Sequence, residues 1–147
     1  MERKDWAYIL LLFSVTGFFT YFFFITVALS QITVVDADTI ILNKEKIRLY
    51  GIDAPETEQN CYVNKEAWPC GKQATEYLKK LLEEAPIPSL LCEISSHDRY
   101  GRSIGVCYIG DKNINRDLVE NGWALAYREY SRDYIQNEKL ASKRKIG

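Results

Sequence analysis

Six charged side chains carry most of the chemistry available to this 147-residue chain. Asp36 and Asp38 stand two apart in VVDADT, and Asp53 and Glu56 flank a proline in YGIDAPET. Arg48 sits in IRLYG and Arg102 closes DRYGR. Residues two apart on an extended chain share a face, so Asp36 and Asp38 present their carboxylates together. Hard cations such as Ca²⁺ take about six to eight oxygen ligands, with carboxylates supplying the charge. VVDADTI is no EF-hand loop, because the later ligand positions and the closing Glu are missing, so a cation site needs acids from separate segments. Planar guanidinium groups match phosphate oxygens and stay charged at any working pH. Taken singly, each acid also suits a turn and each arginine an exposed strand. Arg48 and Asp53 are five apart and face opposite ways on a flat strand. They converge only if the chain bends, and Gly51 between them is the natural place for a bulge or kink.

Those side chains need elements to hold them. QITVVD, TIILN and KIRLYGI are β-branched runs separated by turn residues and read as three strands, with Asn43-Lys44-Glu45 as a tight hairpin turn. Residues 57–69 read as a loop. GKQATEYLKKLLEE reads as a helix with Ala74, Leu78, Leu81 and Leu82 at helical spacing, stopped by Pro86 and Pro88. SLLCEI and SIGVCYI are the next two strands. Asn115 is placed to cap a short helix, RDLVEN, stopped by Gly122, and Ser131 to cap a last one, RDYIQNEKLASKRK, with its basic end at the helix C-terminus. The expected class is α+β, mainly β: a five-stranded OB-type barrel with three helices.

The net charge is −1 and the pI about 5.9. A global positive field for gripping nucleic acid is excluded, so polyanion binding requires a local basic cluster. Trp6 to Leu29 contains no charged residue, which is long enough for a membrane-spanning helix. Arg3 and Lys4 precede it and the next basic residue is Lys44, so the remainder is expected outside the cytosol. Residues 1–26 are therefore read as an anchor and 27–147 as the functional domain. Ala28-Leu29-Ser30 offers a cleavage site, which would make the domain secreted or periplasmic instead. Four cysteines in an extracytoplasmic chain suggest two disulfides. Cys61 and Cys70 flank one short loop. Cys92 and Cys107 fall opposite each other if their strands pair as a hairpin centred on Arg99-Tyr100. Zinc is a weak alternative, with no CxxC and one histidine, His97, read as a turn residue.

DADT, then R-x-x-x-x-D-x-P-E-T, then DRYGR, in that order, resembles the staphylococcal nuclease (thermonuclease) family. The likeness runs from about Ile32 to the C-terminus and includes LVENGWALAY and the final lysine-rich helix. It implies the OB-fold with three helices and a Ca²⁺-dependent nuclease of low sequence specificity, acting on DNA and RNA and leaving 3′-phosphates. By the same resemblance Asp38, Asp53 and the backbone carbonyl of Ala54 would hold the Ca²⁺. Glu56 would position or deprotonate the attacking water, and Arg48 and Arg102 would grip the scissile phosphate. Arg99, Tyr100, Tyr127 and Tyr130 are candidate substrate contacts, since aromatic faces stack on any base.

Two departures from the family pattern stand out. Position 54 is Ala where the best-known member has Thr, and position 37 is Ala where Gly is usual. Neither removes a ligand. The competing class is a catalytically inactive nucleic-acid or protein binding module on the same barrel. That class predicts losses among Asp38, Arg48, Asp53, Glu56 and Arg102, and all five are present. A monomer with no protein partner is expected.

Overall fold

The computed structural model describes residues 31–85 and 90–146. The expected anchor at residues 1–26, Ala28-Leu29-Ser30 and the two helix-stopping prolines lie outside the described residues. Among those described, no helix is long and apolar enough to cross a membrane.

β1 (Ile32–Asp36), β2 (Thr39–Leu42) and β3 (Glu45–Leu49) form an antiparallel meander. Asn43 and Lys44 join β2 to β3 with φ of 51° and 74°, the left-handed pair that a two-residue hairpin turn requires. The chain then bends at Gly51, whose φ is +74°, and continues as β4 (Ile52–Asp53). The run KIRLYGI is thus two strands, and the expected bend falls between them. A β-carbon at Gly51 would lie 3.1 Å from both Ser131 Cβ and the Tyr134 ring, so the bend is packed against the start of the last helix.

The expected loop at 57–69 contains a small hairpin, β5 (Cys61–Val63) and β6 (Glu66–Trp68). Asn64 and Lys65 turn it with positive φ. Three-residue strands are too short to show alternation, which is why the sequence reads as a loop. Helix α1 (Cys70–Glu83) follows, burying Cys70, Gly71, Ala74, Thr75 and Leu78 along one stripe.

β7 (Leu90–His97) and β8 (Ser103–Ile109) pair antiparallel, and β8 lies parallel to β3. α1 and β7 make the crossover that a parallel pair needs. β9 (Lys112–Asn113) adds to β8, then come α2 (Ile114–Glu120), β10 (Leu125–Ala126) and α3 (Ile135–Arg144). β10 pairs with β4. Two caps differ from the sequence reading. Asn113, not Asn115, caps α2, accepting from the Arg116 N–H at 2.8 Å. Ser131 caps no helix: its Oγ accepts from the Asp133 N–H, and α3 begins at Ile135.

The main sheet runs β1-β2-β3-β8-β7, mixed in direction. These are the five expected strands, but the expected closed barrel does not form: among the described residues no ladder joins β7 to β1. β1 packs on α1 instead. At its bulge the Val35 carbonyl accepts from the Thr57 hydroxyl rather than from a strand. The core is Ile40, Ile47, Leu49, Ile52, Leu78, Ile114, Leu118 and Val119, filling the space between the sheet and helices α1 and α2. The structure joins Cys61 to Cys70 and Cys92 to Cys107, and Cys92 and Cys107 are direct cross-strand partners.

Candidate active site

The meander turn, the Gly51 bend and the β7–β8 turn bring the acids and arginines to one end of the sheet. Asp38 sits in the turn between β1 and β2, buried, with 4% of its side chain exposed. Asp53, on the short β4, is 57% exposed. Arg48 on β3 reaches both: Nη1 lies 2.5 Å from Asp38 Oδ1 and Nη2 lies 2.8 Å from Asp53 Oδ1. The Gly51 bend makes this possible for residues that would otherwise face apart. The Ala54 N–H donates to Asp38 Oδ2 at 3.0 Å, which brings the residue-54 backbone against the same carboxylate.

Burial pushes the Asp38 carboxyl up to about 7, with the negative charge of Asp36 adding to it. The Ala54 N–H and the Arg48 charge oppose that rise without cancelling it. A buried carboxylate with too little positive charge around it is a favourable place for a further cation. Among the described residues there is no cluster of three or more His, Cys, Asp and Glu side chains fit to hold a metal. The oxygens of Asp38 and Asp53 nonetheless converge on one guanidinium, and backbone and solvent oxygens complete many hard-cation sites. The side chains alone supply two carboxylates, so any hard cation there would take most of its oxygens from backbone and solvent.

Arg102 stands at the mouth of the β7–β8 turn, which Asp98 organises. Asp98 Oδ1 accepts from the N–H groups of Tyr100 and Arg102, each at 2.9 Å, and Oδ2 accepts from Arg102 Nε at 2.6 Å. Desolvation raises the Asp98 carboxyl, but these hydrogen bonds and the Arg102 charge outweigh it and hold it below the usual carboxylate range. Tyr100 lies against both neighbouring arginines, its ring centre 4.9 Å from Arg99 Cζ and 5.9 Å from Arg102 Cζ, within the range of cation–π attraction.

A cleft of about 620 Å³ joins these parts. Arg48, Arg99, Tyr100, Arg102, Tyr127 and Tyr130 all line it. Tyr127 and Tyr130 pack with ring centres 4.9 Å apart and planes tilted by 57°, held by Tyr127 N–H to Gly51 O and by Tyr50 Oη to Tyr130 O. Desolvation and the nearby Glu129, Tyr130 and Asp53 raise the Tyr127 hydroxyl above the usual phenol range, so it stays a neutral donor. His97 also lines the cleft, from the end of β7 rather than from a turn.

Glu56 lies just beyond β4, exposed, and its carboxylate makes no hydrogen bond or ion pair among the described residues. The structure thus gathers Arg48, Asp38, Asp53 and Ala54 into direct contact. Arg99, Tyr100, Arg102, Tyr127 and Tyr130 share the cleft with Arg48. Asp98 and Tyr50 have positioning roles that spacing alone does not assign, although Asp98 opens the DRYGR motif.

The family model described as Staphylococcal nuclease homologue matches residues 46–147, a span that includes Arg48, Asp53, Glu56 and Arg102. The chain is 39% identical to the succinoglycan biosynthesis protein ExoI of Rhizobium meliloti over 66% of its own length and 51% of that protein. It is 31% identical to a thermonuclease of Staphylococcus hyicus over 78% of its length and 67% of that protein. It is also 33% identical to an uncharacterized endonuclease of Escherichia coli O157:H7, over 77% and 72%. The chain thus spans between half and about two thirds of the first two of these relatives.

Proposed function

Because the chain belongs to the staphylococcal nuclease homologue family, we propose that it is a Ca²⁺-dependent nuclease of low sequence specificity that hydrolyses phosphodiester bonds in DNA and RNA. The observation that carries this reading is the cleft in which three arginines and four tyrosines meet, with two carboxylates converging at its edge through Arg48.

A phosphodiester resists attack because its own negative charge repels nucleophiles. In this reading Arg48 and Arg102 bind the non-bridging oxygens and stabilise the charge that grows in the in-line transition state. Arg48 exchanges Asp38 and Asp53 for phosphate oxygens, while Arg102 keeps Asp98 on Nε and offers its terminal nitrogens to them. Glu56, whose carboxylate has no partner among the described residues, orients a water and accepts its proton as the water attacks phosphorus and the P–O bond to the 5′ oxygen breaks. Asp38, Asp53 and the Ala54 carbonyl would hold the calcium ion, which supplies positive charge beside the phosphate. Tyr100, Tyr127 and Tyr130 offer aromatic faces and hydroxyls to the flanking nucleotides, without base readout. The charge-free run from Trp6 to Leu29 supports a further part of the proposal, that the domain works outside the cytosol as a membrane-anchored or released monomer.

Digestion of a plasmid and of a single-stranded RNA by the purified full chain, with Ca²⁺ or with EGTA, tests the activity. Cleavage of both in Ca²⁺ is expected, and none in EGTA. A wild-type protein that binds both polymers and cuts neither would place it among inactive binding modules.

A further inference from the structure

The Glu56 side chain has no partner among the described residues, yet its backbone is held on several sides. Its N–H faces Gln59 Oε1 at 3.3 Å, and its carbonyl accepts from the Gln59 N–H at 2.8 Å. Behind it, α1 approaches so closely that a β-carbon on Gly71 would lie 1.7 Å from Glu56 O, so no other residue fits there. The next residue, Thr57, places Oγ1 3.0 Å from Val35 O and 3.0 Å from Thr75 Oγ1. Thr75 Oγ1 in turn lies 2.9 Å from Gly71 O. Two hydroxyl protons fill only two of the three contacts at a time: with Thr57 donating to Val35 O and Thr75 donating to Thr57 Oγ1, the threonines form a chain from the β1 bulge through the Glu56–Thr57 segment to the very turn of α1 that packs on Glu56.

Thr75 is buried in the middle of α1, where a β-branched residue has no helical advantage. A bond from its hydroxyl back to its own helix does not favour the helix either. Of its two hydroxyl contacts, the one to Gly71 O stays within the helix, and only the one to Thr57 reaches another segment. We infer that Thr75 is a positioning residue for Glu56: through Thr57 its hydroxyl fixes the backbone from which the Glu56 carboxylate meets the attacking water. This rests on the role given to Glu56 above.

The test compares Thr75→Val and Thr75→Ser in the full chain, each also combined with Glu56→Gln. Valine keeps the shape and deletes the hydroxyl, while leaving the Thr57 proton free for Val35 O. Thr75→Val should lower kcat about 10-fold or more with KM unchanged, and Thr75→Ser should restore it. On the residual rate of Glu56→Gln, Thr75→Val should have almost no effect. Without Ca²⁺, the Gln59 amide should exchange with deuterium faster in Thr75→Val and at the wild-type rate in Thr75→Ser. Unchanged kcat in Thr75→Val, or an equal loss in both Glu56 backgrounds, would overturn the inference while leaving Glu56 in its role. Wild-type turnover in Glu56→Gln alone would instead overturn the role of Glu56, and the inference with it. Should Thr75→Val fail to fold, Thr75→Ala removes the same hydroxyl, leaves the Thr57 bond to Val35 O in place and is read in the same way.

Discussion

Arg48 Nη1 lies 2.5 Å from Asp38 Oδ1, a half-buried cation resting on a buried carboxylate. Its other nitrogen spans to Asp53, so one guanidinium balances two acids of opposite exposure. A residue in that position affects both the charge of the site and its grip on phosphate.

Arg48→Ala should therefore cost about 10²–10³ in turnover, as should Arg102→Ala, if each supplies a transition-state donor. Arg48→Lys should recover little, because a single ammonium cannot reach two carboxylates with a planar fork. Arg48→Ala should also lower stability by about 3 kcal/mol by leaving Asp38 buried without its partner, whereas Arg102→Ala, whose partner Asp98 keeps two backbone donors, should barely change it. Plasmid digestion and urea midpoints separate the two effects. A near-full rate in either alanine variant removes that arginine from phosphate binding.

Chelation gives a second expectation. EGTA should abolish cleavage, and excess Ca²⁺ should restore it within the mixing time. Ala54→Ser should leave the Ca²⁺ dependence unchanged, because only the backbone of residue 54 meets Asp38. Isothermal titration of Ca²⁺ into both proteins checks this, and a large loss of affinity in Ala54→Ser would contradict it.

Asp98 makes a prediction about acid. Its carboxyl is held below the usual range in the folded protein, so the unfolded chain binds the proton more readily. Its contribution is fully present above the ordinary carboxylate value and is lost as pH falls through the lower folded value. The Arg102 turn should thus survive at pH 5, and an amide-exchange series at Tyr100 and Arg102 should show protection constant from pH 5 to 8 after correction for intrinsic exchange. Asp98→Ala should remove that protection and lower turnover about 10-fold, by releasing Arg102.

The two disulfides should separate stability from rate. Cys92–Cys107 staples paired strands and lies in the core. Replacing both with alanine should cost about 3 kcal/mol for a loop of this size, with turnover nearly intact where the protein is folded. Cys61–Cys70 ties the hairpin after Glu56 to the start of α1. Replacing that pair should reduce turnover more than it lowers the melting temperature. A denatured, non-reduced sample should show no free thiol.

The five long strands, the three helices and the bend at Gly51 were legible in the sequence because each has its own periodicity or turn chemistry. The acids and arginines were legible as an ordered set of motifs. The open edge of β1 was not, because it depends on Thr57 and α1 meeting the Val35 bulge across the fold. The β5–β6 hairpin was missed because its strands are shorter than one period can declare. Thr75 read as an ordinary helix residue, since its use lies in a hydroxyl contact between segments that spacing does not relate. Asp98 was in plain view, but its work on Arg102 is a matter of turn geometry within one motif.

The parallel pairing of β3 with β8 has a consequence for when the molecule becomes competent. Ile47 meets Ser103, and Arg48 meets Ile104, so the two arginines come to one cleft only after the segments around positions 47 and 103 have found each other. Contacts so distant in sequence form slowly, because the loop between them must be closed first. A chain still emerging from the ribosome, or one cut before Ser103, can carry both arginines and every acid of the site without the strand pairing that brings them to one cleft. The assembled cleft arrives only with the completed topology.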